Sequence, residues 1–144
     1  MSDQAQREVL RTGVPGLDEV LRGGMDPNHL YLIEGTPGSG KTTVALQFLL
    51  AGVQRNQACM FVALSENEQE LRASAASHGW SLDGIHVFQI IASEQSLKPD
   101  ARYTMFHPSE VELAETTKSV LAEAERIQTG TARVRFAFGA AAAG

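Results

Sequence analysis

The sequence predicts an α/β fold, with a mainly parallel sheet between two layers of helices. Three observations lead there. Short apolar runs alternate with helical patterns along the chain, the order that builds parallel sheets through helical crossovers. A glycine-rich loop, "GTPGSGKTT" from Gly35 to Thr43, falls between one such run and one such helix. The chain has 144 residues, of which 43% are hydrophobic and 20% charged, enough for one domain with a real core.

Taken in order, Leu30–Glu34 ("LYLIE") reads as a buried strand that ends at the glycine loop. Lys41 to about Gln54 follows as a helix with an apolar face of Val44, Phe48, Leu49 and Ala51. Cys59–Leu64 is a second strand, and "NEQELRASAASHG" a helix with a Glu68–Arg72 pair at i,i+4 and Gly79 as its stop. Ile85–Ile91 is a third strand. The segment Ala92–Pro108 has no period and reads as a loop. Ser109 then opens a helix with a Ser-x-x-Glu capping box to Glu112. Its apolar stripe is Leu113, Val120, Leu121, Ala124 and Ile127, with Gly130 as its end. Arg133–Phe138 is a fourth, weaker strand, interrupted by Arg135. Right-handed crossovers would put every strand-to-helix loop on one edge of the sheet, where ligands bind in open α/β folds.

Composition excludes several classes. The net charge of −5 gives no overall bias toward nucleic acid or anionic lipid. The single cysteine, Cys59, forbids an internal disulfide and reads as a buried small hydrophobe. His29, His78, His86 and His107 lie far apart, without metal-ligand spacing. No apolar run approaches the roughly 20 residues of a membrane span, and the polar N-terminus lacks a signal-peptide pattern. The expectation is a cytoplasmic protein.

The loop matches G-x-x-x-x-G-K-[ST] at every required position. A phosphate chain offers only acceptors and several negative charges, so its cradle must supply donors free of obstructing side chains. Gly35, Gly38 and Gly40 let successive backbone N–H groups converge on one anion, while Thr36, Pro37 and Ser39 complete the loop. The helix that starts near Lys41 adds free N–H groups and the positive end of its dipole. Lys41 would reach the β- and γ-phosphates. Thr42 would place its hydroxyl on Mg²⁺, and Thr43 would meet the α-phosphate.

The segment "RTGVPGLDEVLRGGM" (Arg11–Met25), followed by "LYLIEGTPGSGKTTVALQFL", resembles the KaiC family of RecA-like ATPases. "FVALSENEQELRASAASHGW" resembles that family's second strand and helix, and "YTMFHPSEVEL" its bacterial members; the likeness spans most of residues 7 to 130. It implies a three-layer RecA-like core, ATP as ligand and homo-oligomeric, usually hexameric, rings. In bare physical terms the lead-in is also a turn at Gly13–Gly16, one helical turn in "LDEVL" and a Gly23-Gly24 stop, which could serve packing alone.

Cleavage requires a carboxylate to orient or deprotonate water and an aspartate for the Mg²⁺ shell. Clock-type members of the resembled family carry two adjacent glutamates after the second strand. Here Ser65 stands at the first position and Glu66 at the second. Glu66 is thus the catalytic candidate beside Lys41, or equally an acidic residue favoured in a first helical turn. Where the family reads "RVVFDSLSE", this chain reads "RVRFAFGAA", which puts Ala137 where the aspartate is expected. The expected organisation is a truncated domain over residues 1–139 and a low-complexity tail over 140–144.

Two functions remain open on this reading: an ATPase of the resembled family, or a nucleotide-binding module without turnover that acts through oligomerisation or a partner. A nucleotide kinase fits less well, because the lead-in is long and Arg102 is isolated. Net acidity and the lack of a basic loop speak against direct DNA binding.

Overall fold

Cys59 to Ala63 are almost completely buried, and a strand covered on both faces belongs at the centre of a sheet. The computed structural model describes residues 8–64, 66–90, 108–128 and 134–139. Its elements in chain order are α1 (Pro15–Val20), α2 (Lys41–Val53), β1 (Ala58–Ala63), α3 (Glu68–Ser77), β2 (Ile85–Gln89), α4 (Pro108–Ile127) and β3 (Val134–Gly139). The sheet has the order β2-β1-β3. β1 is parallel to both neighbours, with Phe61 opposite Val87 on one side and Ala137 on the other.

Side chains alternate across the pleat of β1. Cys59, Phe61 and Ala63 meet Leu46 and Leu49 of α2 and Leu71 and Ala75 of α3. Met60 and Val62 point the other way, against Val120 and Ala124 of α4. The result is the expected three-layer α/β arrangement. The β1–α3–β2 and β2–α4–β3 connections run in opposite directions across the sheet and lay their helices on opposite faces, as crossovers of one hand require.

Local chemistry starts and stops these elements where the residue types demand. Asn67 caps α3: its Oδ1 accepts from the Glu70 N–H at 2.8 Å, and the Glu70 carboxylate accepts from the Asn67 N–H at 3.2 Å. Such a cap contributes about 1 kcal/mol. Arg72 reaches back to Glu68 through Nε at 2.9 Å. At the other end Gly79, at φ +73°, reverses the chain. The Trp80 N–H then donates to the Ala75 carbonyl and the Gly79 N–H to that of Ala76, a Schellman ending that satisfies the last carbonyls.

The lead-in is a closed unit docked on α2. Leu10 and Met25 exchange backbone hydrogen bonds of 2.8 Å. Thr12, fully buried, donates through both its N–H and its hydroxyl to Asp18 Oδ1, at 2.7 and 2.8 Å. Gly13 lies so close to α2 that a Cβ there would stand 2.8 Å from the Gln47 carbonyl oxygen.

Several expectations are corrected. Leu30–Glu34 is not a strand: it bonds to none of the three strands, and Leu30 and Leu32 are 90% and 81% exposed. Four apolar residues in a row satisfy a pattern, but a strand exists only through a ladder partner. The buried face of α2 is Leu46, Leu49 and Gly52, with Val44, Phe48 and Ala51 only half-buried. On α4 the face is Val120, Ala124 and Ile127, while Leu113 and Leu121 are exposed. β1 ends at Ala63 and β2 at Gln89, earlier than the apolar runs suggest. The Ser109–Glu112 side chains, the 92–107 loop, Gly130 and the 140–144 tail lie outside the described residues.

Arg135 is no flaw in β3. It is 3% exposed, and its guanidinium donates to Gln57 Oε1 at 2.6 Å, to the Arg11 carbonyl at 2.8 Å and to the Phe48 carbonyl at 3.0 Å. Cys59 is buried as expected. Its thiol donates to the Leu49 carbonyl at 3.3 Å, and burial pushes its pKa up to about 11.

Two predictions follow from this packing. A Cβ at Gly52 would lie 2.6 Å from both Arg135 Cδ and Cys59 Sγ, so Gly52→Ala should lower unfolding stability by about 1–3 kcal/mol in urea titration. On α4 the Glu123 carboxylate is held below the usual glutamate range by its hydrogen bonds from Arg126, opposed by burial and aided by the charges of Arg126 and His86. A depressed folded value means this stabilisation is present above the ordinary glutamate pKa of 4.5 and is lost as pH falls through the folded value. A carboxyl chemical-shift titration should place Glu123 below 4.5 and return it toward 4.5 in Arg126→Ala.

Candidate functional site

The loop begins where the exposed segment 30–34 ends and runs into α2. Gly38 and Gly40 have φ of +80° and +94°, backbone that L side chains adopt at a cost of about 1–2 kcal/mol. Ser39 N–H donates to the Thr36 carbonyl at 3.2 Å and tightens the turn. Thr36, Pro37, Gly38 and Ser39 are exposed, as is Gly35.

Gly40 is the N-cap of α2, and it offers no side chain to cap the helix. The first intrahelical bond runs from the Val44 N–H to the Gly40 carbonyl at 3.0 Å. The N–H groups of Lys41, Thr42 and Thr43 thus precede the helical ladder, and no acidic side chain occupies the first turn. This is the positive end of a 13-residue helix. The Lys41 ammonium folds over the loop and donates to the Gly35 and Thr36 carbonyls at 2.7 and 2.9 Å. Nine residues thereby concentrate a cation, free amides and the hydroxyls of Thr36, Ser39, Thr42 and Thr43 on one small surface, a donor set suited to an oligoanion.

The other expected residue comes to the same place. Glu66 lies just past the C-terminal end of β1, and its Oε1 accepts a hydrogen bond from the Thr42 hydroxyl at 3.3 Å. The sequence separates them by 24 positions; the β1–α2 packing brings them together. A hydroxyl and a carboxylate at this distance are hard oxygen donors of the kind that suit a magnesium ion. Ser65 lies outside the described residues. Ala137 is buried opposite Phe61 in β3, within the core shared with α2. It contributes a methyl group where an acidic ligand was expected. Among the described residues there is no cluster of three or more His, Cys, Asp or Glu side chains placed to hold a metal.

His78 was not singled out by sequence reasoning beyond its isolation from other histidines. Its Nε2 stands 3.5 Å from the Thr43 hydroxyl, and its ring stacks on Trp80 at 4.6 Å between centroids and 22° between planes. The signal lay in "HGW": a glycine at a helix C′ position folds its two neighbours toward each other. Arg135 was read as an interruption because apolar periodicity carries no information on which buried acceptors await a cation.

No helix among the described residues is long and apolar enough to cross a membrane. Comparison with known proteins gives one consistent result. A family profile described as "ATPase: KaiC" matches residues 10–130. A UPF0273 protein of Thermotoga maritima is 38% identical over 74 residues, which is 51% of this chain and 31% of that protein. UPF0273 proteins of Pyrococcus furiosus and Methanopyrus kandleri are 38% and 39% identical over 73 and 74 residues, again 51% of this chain and 30% and 29% of theirs. The chain's match spans about a third of the length of these relatives.

Proposed function

The chain belongs to the KaiC ATPase family, and from that premise we propose that it binds ATP with Mg²⁺ through Gly35–Thr43. The observation that carries this reading is the loop itself: an uncapped helix N-terminus, left-handed glycines at 38 and 40, and the Lys41 ammonium over the loop carbonyls. Phosphate oxygens compete well for those donors, because an anionic acceptor makes stronger hydrogen bonds than a neutral carbonyl. Gly35, Thr36, Pro37, Gly38, Ser39 and Gly40 form the cradle, Lys41 reaches the terminal phosphates and Thr43 the α-phosphate. Thr42 is the hydroxyl donor that would hold Mg²⁺, which neutralises charge on the phosphates when bound. The three-stranded parallel sheet is then part of a RecA-like core, working in the cytoplasm, and homo-oligomeric rings of the kind seen in the family are its proposed assembly.

Hydrolysis is the finer part of the proposal. Glu66 stands at the C-terminal edge of β1, beside Thr42, where it can orient or deprotonate a water near the terminal phosphate. Ala137 favours a second reading, a module that binds nucleotide without turning it over and acts through its assembly or a partner. The two readings share the loop and differ at one carboxylate.

Equilibrium binding of Mg-ATP should be detectable and should weaken about 10- to 100-fold in Lys41→Ala, the scale of losing charged hydrogen bonds. Unchanged binding in that variant would remove the nucleotide reading. In single-turnover assays, an active chain should lose about 10²- to 10⁴-fold in cleavage rate on Glu66→Gln while keeping its ATP affinity. No cleavage in the unsubstituted protein, with intact binding, would establish the second reading.

A further inference from the structure

Of the two helical layers, α4 is the more weakly seated. From Leu113 to Ile127 its buried side chains are Val120 and Ala124, each 8% exposed, while Leu113 and Leu121 face water. On the other face of the sheet, Leu46 and Leu49 of α2 are fully buried. An element with so few buried apolar contacts is among the first to open. Polar contacts then decide how firmly α4 stays on the sheet.

One such contact crosses from α4 to the sheet. His86 of β2 stands opposite Met60 in the parallel ladder, on the face that Met60 and Val62 turn toward α4. Its Nε2 pairs with Glu123 Oε1. That nitrogen is buried, and no other acceptor among the described residues reaches it. The same carboxylate accepts from Arg126 Nε at 3.0 Å, one helical turn on. Among the described residues, His86 and Arg126 are the charged groups that act on Glu123. Lys118 and Glu115 pair with each other on the exposed side of α4, and β1 places only Met60 and Val62 beneath the cluster, neither of which titrates.

The charge balance of this cluster turns on one proton. With Glu123 ionised, its carboxylate lies between Arg126 and a protonated His86 and attracts both. With Glu123 protonated, two cations face each other across a neutral group, and the buried Nε2–H loses its anionic acceptor. A buried cation left without its anion is costly, and lifting α4 lets water solvate it. We propose that His86, Glu123 and Arg126 form a proton-operated clasp: a proton taken from solvent by Glu123 releases α4 from the sheet, while α2, α3 and the three strands stay folded. The opened state bares Met60 and Val62. Glu123 takes its proton less readily than an ordinary glutamate, chiefly through the Arg126 hydrogen bonds. The clasp is therefore closed above pH 4.5 and opens as pH falls through the folded value below it.

Amide hydrogen exchange, corrected for its intrinsic pH dependence, tests the clasp. In the unsubstituted protein α4 should lose protection as pH falls below 4.5, ahead of α2 and β1. Glu123→Gln stands in for the protonated carboxyl under milder conditions. At about pH 5.5, where an ordinary imidazole carries a proton, that variant should exchange about 10- to 100-fold faster in α4, the scale of losing a charged hydrogen bond. Its α2 and β1 amides should be unchanged. Adding His86→Gln removes the buried cation and should restore protection to α4, a rescue that mere loss of packing at Glu123 would not allow. Unchanged α4 exchange in Glu123→Gln would overturn the proposal. So would a double variant that fails to restore it. Loss of protection in α2, β1 and α4 together during the acid titration would overturn it too, because the proton would then unfold the whole domain and not one helix.

Discussion

A buried guanidinium whose hydrogen-bond partners among the described residues include no carboxylate organises the end of this domain opposite the glycine loop. Taking a cation out of water costs several kcal/mol unless its donors are satisfied, and burial accordingly pushes the Arg135 pKa down. Its Nε and Nη1 are satisfied from three parts of the chain, the Arg11 carbonyl in the lead-in, the Phe48 carbonyl in α2 and the Gln57 amide just before β1, while Nη2 has no hydrogen-bond partner among the described residues. The Phe48 ring lies 4.8 Å from the guanidinium carbon and adds a cation–π contact. Only a glycine at position 52 leaves room for this arrangement. The lead-in, α2 and β3 are therefore tied through one side chain.

That tie matters at the far end of α2. A helix is stiff on the scale of four turns, so fixing its C-terminal half against β1 and β3 fixes where its first turn emerges. Lys41, Thr42 and Thr43 inherit their positions from Leu46, Leu49 and Gly52. Glu66 inherits its position from β1, whose buried residues pack on the same helix. The 3.3 Å contact between Thr42 and Glu66 is thus a consequence of core packing several residues away. Loop residues that act on a ligand are themselves exposed, and their precision comes from buried neighbours.

What the sequence made legible was whatever local chemistry decides. The loop, the Asn67 side of the third helix, the Gly79 stop and the central strand all follow from residue types over a few positions. Contacts between distant residues were not legible. Arg135 looked like an error in an apolar run because its partners are 78, 87 and 124 positions away. His78 looked idle because Thr43 lies 35 positions before it. Leu113 and Leu121 lie on an amphipathic pattern wider than the strip of sheet that α4 covers, so periodicity overcounted its buried face.

The segment Leu30–Glu34 is the instructive failure. Its composition says buried strand, and its exposure says otherwise. A rule of handedness relates the two. α2 packs on the same face of the sheet as α3, and α3 carries the chain from β1 outward to β2. A parallel strand that entered β1 through α2 with the same hand would have to lie on the opposite side of β1, which is the β3 side. β3 already holds the place next to β1, and its outer edge bonds to no strand among the described residues. The only site in this sheet that chirality permits for Leu30–Glu34 is that outer edge.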